Sequence, residues 1–169
     1  MGLGWSIGGT SSIVRCAQTR EQDGKPSSAG ISLSRDDRFC LDGQRLVLVA
    51  GQYGQDGSEY RTEIDTFARM VAYGSAGNGP RYFKVWSRDG SVSEYGNSSD
   101  SRIEARASGD EKTVMIWARN RLGNTAGNYF LYTYLENTSG PVDFSLSTVR
   151  YTGNDRAGTS PYAEIRLVY

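Results

Sequence analysis

Histidine is absent from the 169 residues. That absence removes the Ser-His-Asp and Cys-His nucleophile systems, the His-x-x-x-His metalloprotease helix and the deaminase type of zinc site. Lysine is scarce, with only Lys25, Lys84 and Lys112 beside sixteen arginines. Arginine forks to carboxylates and stacks on tyrosine faces, so cross-strand Arg/Tyr/Asp ladders are expected. Net charge is missing too: Lys+Arg 19 balances Asp+Glu 19, and nothing draws the chain to nucleic acid or to an acidic membrane. No apolar run reaches about 18 residues, so no membrane-spanning helix is expected. The start, Met1-Gly2-Leu3-Gly4-Trp5, lacks the basic and apolar regions of a secretory signal. Its abruptness reads as the cut edge of a longer protein.

What the chain does have is Gly 21, Tyr 11 and 11% aromatic residues, the composition of strands joined by tight turns. Asp-Gly and Gly-Asn signals recur at Asp23-Gly24, Asp42-Gly43, Asp56-Gly57, Asp89-Gly90, Gly123-Asn124, Gly127-Asn128 and Gly153-Asn154. Between apolar runs such pairs mark hairpins, because both central residues of the turn take positive φ. Phe39-Cys40-Leu41 and Arg45 to Val49 form one expected hairpin, Tyr82 to Trp86 and Ser91 to Tyr95 a second, Val114 to Ala118 and Asn128 to Tyr134 a third. Val142 to Tyr151 and Ala163 to Tyr169 add strands, for about eight to ten in all. The segment from Tyr60 to Val71 reads both ways. Ile64, Phe67 and Val71 have helical spacing, Tyr60, Thr62, Ile64 and Thr66 alternate, and β-branching favours a strand. The fold class expected is all-β, antiparallel hairpins in a sandwich or a strongly curved sheet, as one domain over residues 1–169.

The string GLGWS at Gly2, Ser11 to Cys16, and DRFCLDGQRLV from Asp37 to Val47 resemble a known family. So do EYRTEID (Glu59 to Asp65), GNGPRYFKVWSRDG (Gly77 to Gly90), EYGNSSDSRI (Glu94 to Ile103), WARNR (Trp117 to Arg121), GNYFLYTY (Gly127 to Tyr134), RYTGN (Arg150 to Asn154) and AEIRLVY (Ala163 to Tyr169). The chain is similar to the SpvB-type N-terminal region of bacterial insecticidal toxin complex (Tc) B components and related RHS-type toxins. The resemblance implies a twisted β-sheet segment of a large hollow shell enclosing a toxic C-terminal cargo. It also implies synthesis in a bacterial cytoplasm, release within a larger toxin, and the rest of that shell as partner. The RHS core with its self-cleaving aspartates, the β-propeller and the cargo are not in this sequence. Some SpvB-type proteins carry a separate ADP-ribosyltransferase domain, whose Glu-x-Glu pair this chain lacks.

Few residues are left to carry chemistry. Cys16 and Cys40 either form a disulfide, which would contribute roughly 3 kcal/mol by chain entropy, or stay two buried thiols, as a reducing cytoplasm favours. Glu59 with Glu63, or Glu63 with Asp65 about 6.6 Å apart along one strand face, could be written as a glycosidase pair, though solvated carboxylates are commoner. Asp36-Asp37 and Asn97 to Asp100 are oxygen-rich loops without EF-hand spacing. Trp5, Trp86 and Trp117 are the residues on which a sugar face could stack, and also ordinary core residues. The expectation is a structural, non-catalytic protein without metal or cofactor; the alternatives are a carbohydrate-binding β-sandwich and a small carboxylate hydrolase. Scarce lysine, and prolines at 26, 80, 141 and 161 that all fall in loops, leave sheet edges unblunted, so self-association is also expected.

Overall fold

The computed structural model describes residues 10–24, 30–106, 112–137 and 143–169. Trp5, Lys25, Pro26 and Pro141 lie outside these residues. The described strands are β1 (Ser12–Cys16), β2 (Arg38–Leu41), β3 (Gln44–Ala50), β4 (Glu59–Thr62), β5 (Arg69–Tyr73), β6 (Tyr82–Trp86), β7 (Val92–Tyr95), β8 (Arg102–Arg106), β9 (Lys112–Gly123), β10 (Asn128–Asn137), β11 (Asp143–Asn154) and β12 (Ala163–Arg166). One short helix, α1 (Arg20–Asp23), follows β1, and a 3-10 turn (Ser99–Ser101) precedes β8.

The expected hairpins form. At the β2–β3 turn Asp42 (φ 47) and Gly43 (φ 83) both take positive φ, and Leu41 pairs with Gln44 and Cys40 with Arg45. Phe83 pairs with Tyr95 and Trp86 with Val92 in the second hairpin. In the third, β9 runs past the expected Ala118, and its last residues meet β10 with Gly123 opposite Tyr129. The Tyr60 to Val71 segment departs from expectation: strand stops at Thr62 and resumes at Arg69. Thr62 Oγ1 accepts the Thr66 N–H at 3.2 Å and Asp65 Oδ1 accepts the Phe67 N–H at 2.7 Å, so local side-chain bonds replace the ladder. Asp23-Gly24 makes no hairpin either, because Gly24 (φ 68) ends α1.

The strongly curved sheet closes. β1 to β7 pair in sequence, β7 pairs with β9, and β9 returns to β1 with Ile13 opposite Trp117, giving an eight-stranded antiparallel barrel. Closure removes most exposed edges. β9 is the keystone, bonding β1 and β8 along its first half and β7 and β10 along its second. Its far end leads into a second layer, β10-β11-β12.

Inward positions alternate along the barrel strands: Ile13 on β1, Phe39 on β2, Tyr60 on β4, Met70 and Ala72 on β5, Phe83 and Val85 on β6. Phe39 is the hub of the core. Its ring lies 5.3 Å from Trp117 and 5.5 Å from Phe83, both edge-to-face, and 5.2 Å from Tyr53, stacked. Edge-to-face contacts suit ring quadrupoles and add about 0.5–1.5 kcal/mol each beyond area burial. Gly96 (φ 75) is required beside this core, since a Cβ there would lie 2.4 Å from Trp117 Cδ1. A smaller core of Ile103, Ala118, Tyr134 and Leu146 packs the second layer against the barrel.

A cross-strand ladder crosses the barrel's outer face, built on Lys84, Glu94 and Arg121 in place of the Arg/Tyr/Asp set expected. Val71, Lys84, Glu94 and Arg121 lie successively opposite one another on β5, β6, β7 and β9. Lys84 Nζ is 3.0 Å from Glu94, Arg121 sits 4.1 Å over the Tyr129 ring, and Arg69 pairs with Glu59 at 2.8 Å beneath.

Candidate functional site at the stapled end of the barrel

Arg15 alternates with Ile13 on β1 and therefore points into the barrel, where its side chain is fully buried. Such a charge is tolerated only when its donors are used. Nε donates to Val114 O at 2.7 Å, Nη1 to Ser34 O at 2.8 Å and to Asp37 Oδ2 at 3.3 Å, and Nη2 to Asn78 O at 3.1 Å. The guanidinium also lies 5.7 Å from the Phe39 ring centre and 5.8 Å from that of Trp117. Burial lowers the Arg15 pKa, opposed by the Asp37 charge. A Cβ on Gly79 would stand 2.6 Å from Arg15 Nη2 and would push the guanidinium away from its Asn78 acceptor.

Next to it, Cys16 on β1 and Cys40 on β2 are joined by a disulfide, with Cα atoms 6.1 Å apart. In the register Val14 faces Cys40 and Cys16 faces Arg38, so the bond is a diagonal across the two strands. Outside it lies an ionic clasp. Asp23, at the end of α1, receives Arg38 Nε at 2.8 Å, Arg45 Nη2 at 2.5 Å and the Thr19 N–H at 2.8 Å. Burial alone would raise the Asp23 pKa; the Thr19 amide and the two guanidinium groups outweigh it and hold the carboxyl below the usual aspartate value. A cleft of about 310 Å³ beside the clasp is lined by Arg38, Arg45, Val47, Leu48, Tyr53 and Glu63.

A larger cleft of about 520 Å³ lies between barrel and second layer, bordered by Ser11, Asp42, Tyr134, Phe144 and Tyr169. Its polar groups are bonded to the fold. Asp42 accepts Ser11 Oγ at 2.6 Å and the Ser12 N–H at 3.0 Å, Tyr134 donates to Arg119 O, and Tyr169 donates to Leu146 O.

The residues singled out from sequence do not converge. Glu59 is bound by Arg69, Glu63 by Gln22, and Asp65 caps the Phe67 amide. Glu63 and Asp65 lie beyond the end of β4, so the shared strand face drawn for them does not exist. Trp117 is fully buried and its indole donates to Pro80 O at 3.1 Å, leaving no ring face for a ligand. Trp86 is half-buried beneath the Arg69 guanidinium, 5.1 Å away. Asp37 is spent on Ser32 and Arg15, and Asp100 accepts the Tyr134 N–H, so these loops serve the fold. Among the described residues no three His, Cys, Asp or Glu side chains gather as metal ligands. Sequence reading missed Arg15, although an arginine at an inward position of an Ile-x-Arg strand is a readable signal. It also missed the Asp23 clasp, whose members are far apart in the chain.

The family model described as Salmonella virulence plasmid 65kDa B protein, SpvB, matches residues 1–162. The chain belongs to the SpvB family. Its SpvB-type fold is similar to the N-terminal domain of effector protein SpvB from Salmonella typhimurium strain LT2, with TM-score 0.62 and 18% identity over 91% of this chain and 53% of that one. It is also similar to TcdB2-TccC3, with TM-score 0.59 and 17% identity over 90% of this chain and 8% of that chain. The Tc holotoxin pore of Photorhabdus luminescens matches with TM-score 0.57 and 16% identity, again over 90% and 8%. This SpvB-family chain thus spans about half of the SpvB domain and a small part of the toxin chains. No curated protein sequence matches it.

Proposed function

We propose that this chain is a non-catalytic structural segment of a Tc/RHS-type toxin, a β-barrel built into the wall of a shell that encloses a toxic cargo carried elsewhere in the assembly. The observation that carries the reading is the barrel interior: it is filled by Phe39, Tyr60, Phe83, Trp117 and Arg15, and the buried guanidinium is bonded to the fold instead of facing a cleft. A barrel filled this way leaves no ligand space inside it, and the polar groups that border its two clefts are already bonded to the fold. Membership of the SpvB family supports the assignment. Its partners in this reading are the remaining toxin-complex components, and it leaves the bacterium within them.

The test is a chimaera in which this chain replaces the corresponding region of a Tc B component. Assembly with the C component and protease protection of the cargo are expected. An assembled chimaera that leaves its cargo open to protease would sink the wall reading. In parallel, ADP-ribosyltransferase, protease and glycosidase assays of the chain are expected to show no turnover; robust turnover abolished by Glu59→Ala or Glu63→Ala would establish an enzyme instead.

A further inference from the structure

β12 is the last strand of the second layer, paired with β11 on one edge and open on the other among the described residues. The Leu167 N–H donates to Ser147 O at 2.9 Å, so odd-numbered positions turn their backbone groups to β11. Glu164 and Arg166 therefore turn theirs to the open edge. Ile165 sits opposite Val149, which packs on the smaller core, yet Ile165 is 55% exposed, with no strand among the described residues beyond it.

We propose that a second copy of this chain docks here, β12 against β12 in antiparallel register about a two-fold axis at Ile165. The sequence Ala163-Glu164-Ile165-Arg166 is self-complementary in that register. Glu164 faces Arg166 of the second copy, Arg166 faces Glu164, and the two Ile165 side chains meet on the core side. Glu164 and Arg166 are the positions whose N–H and C=O groups face outward, so each Glu164/Arg166 pair exchanges both backbone hydrogen bonds. The Ile165 pair falls at the intervening site, where side chains approach most closely.

The charges are already poised. Glu164 holds its own Arg166 at 2.7 Å and Arg150 of β11 at 3.2 Å. Pairing exchanges that Arg166 for the second copy's and produces a row of alternating sign, Arg150, Glu164, Arg166. β8, which pairs with β9 alone among the described strands, behaves differently. β8 reads Arg102-Ile103-Glu104-Ala105-Arg106, and the register that uses its whole length sets Glu104 against Glu104 and Arg102 against Arg106. Like charges directly opposite destabilise pairing. The choice of β12 thus follows from charge pattern as well as exposure, and it does not depend on the shell reading.

Sedimentation velocity of the chain over a wide concentration range tests this. A four-residue strand is short, so the wild type is expected to shift from monomer to dimer as concentration rises. Glu164→Arg and Arg166→Glu, each confirmed as folded by circular dichroism, are expected to stay monomeric, because each sets like charges across the axis. Mixed in equal amounts, the two variants are expected to dimerise, since every facing pair is then opposite in sign. A wild type that is monomeric throughout, single variants that still dimerise, or a mixture that stays monomeric would each overturn the proposal.

Discussion

The Tyr53 hydroxyl accepts the Phe39 backbone N–H at 2.7 Å, in the seam where β2 and β3 part after Cys40 and Arg45. It also donates to Leu46 O at 3.3 Å, so one side chain bridges two strands that their own backbones leave unpaired. Burial raises the Tyr53 pKa well above the ordinary tyrosine value, and the hydroxyl stays protonated as the donor this bridge needs. Tyr53→Phe keeps the stacking on Phe39 and leaves an amide and a carbonyl without their partner. The expected cost is about 1–3 kcal/mol, read as a lower urea midpoint at unchanged m-value. An unchanged midpoint would mean that water replaces the hydroxyl.

The hairpins around Asp42-Gly43 and Asp89-Gly90 were legible in the sequence because their signals are local: a turn dipeptide between alternating runs fixes the register by itself. Closure was not, because it depends on Ile13 meeting Trp117, more than a hundred residues away. The β4–β5 loop was misread for the opposite reason. Tyr60, Thr62, Ile64 and Thr66 alternate as a strand does, and the Thr62 and Asp65 side chains then take the backbone out of it. At the candidate site, Cys16 and Cys40 were visible as a pair of residue types, whereas the Asp23, Arg38 and Arg45 clasp is made by tertiary structure alone.

The disulfide spans a sequence separation of 24. On the chain-entropy estimate a loop of that size contributes about 3 kcal/mol, which for a chain of this length corresponds to roughly 6–12 °C in Tm. Scanning calorimetry with and without a strong reductant should show that drop. The Cys16→Ser/Cys40→Ser double variant should melt at the reduced temperature and ignore the reductant. Equal melting of reduced and oxidised chain would mean that Arg15 and the clasp already fix the β1–β2 connection without the bond.

Asp23 gives stability a dependence on pH whose sign follows from its lowered pKa. The folded state binds a proton less readily than the unfolded one, so its contribution is complete above the ordinary aspartate value and is lost as pH falls through the lower folded-state value. Asp23→Asn removes the charge that Arg38 and Arg45 share, at an expected cost of about 2 kcal/mol near neutral pH. The gap between wild type and variant should be constant from about pH 7 to 5 and close below about pH 4. Urea midpoints measured across that range test it, and a gap that persists at the acid end would assign the effect to packing.

Phe67 takes φ 58 with its side chain 61% exposed, a conformation that crowds the Cβ of any L residue other than glycine. That crowding costs about 1–2 kcal/mol. Against it stand two gains: the Asp65 carboxylate bonds the Phe67 amide, and the Arg88 guanidinium lies 5.3 Å over the ring, a contact contributing about 0.5–1 kcal/mol at an exposed site. Phe67→Ala loses the Arg88 contact and keeps the strain, so it should be destabilising. Phe67→Gly loses the same contact and relieves the strain, less the roughly 0.5–1 kcal/mol of backbone entropy that glycine gives up on folding. Glycine should therefore be more stable than alanine at this position by about 1 kcal/mol, the reverse of their order in ordinary strand. Denaturant titration of the two variants decides between them. Because neither carries a ring, their difference isolates the backbone from the Arg88 contact, and an alanine variant as stable as glycine would place the loop's cost somewhere other than the Phe67 backbone.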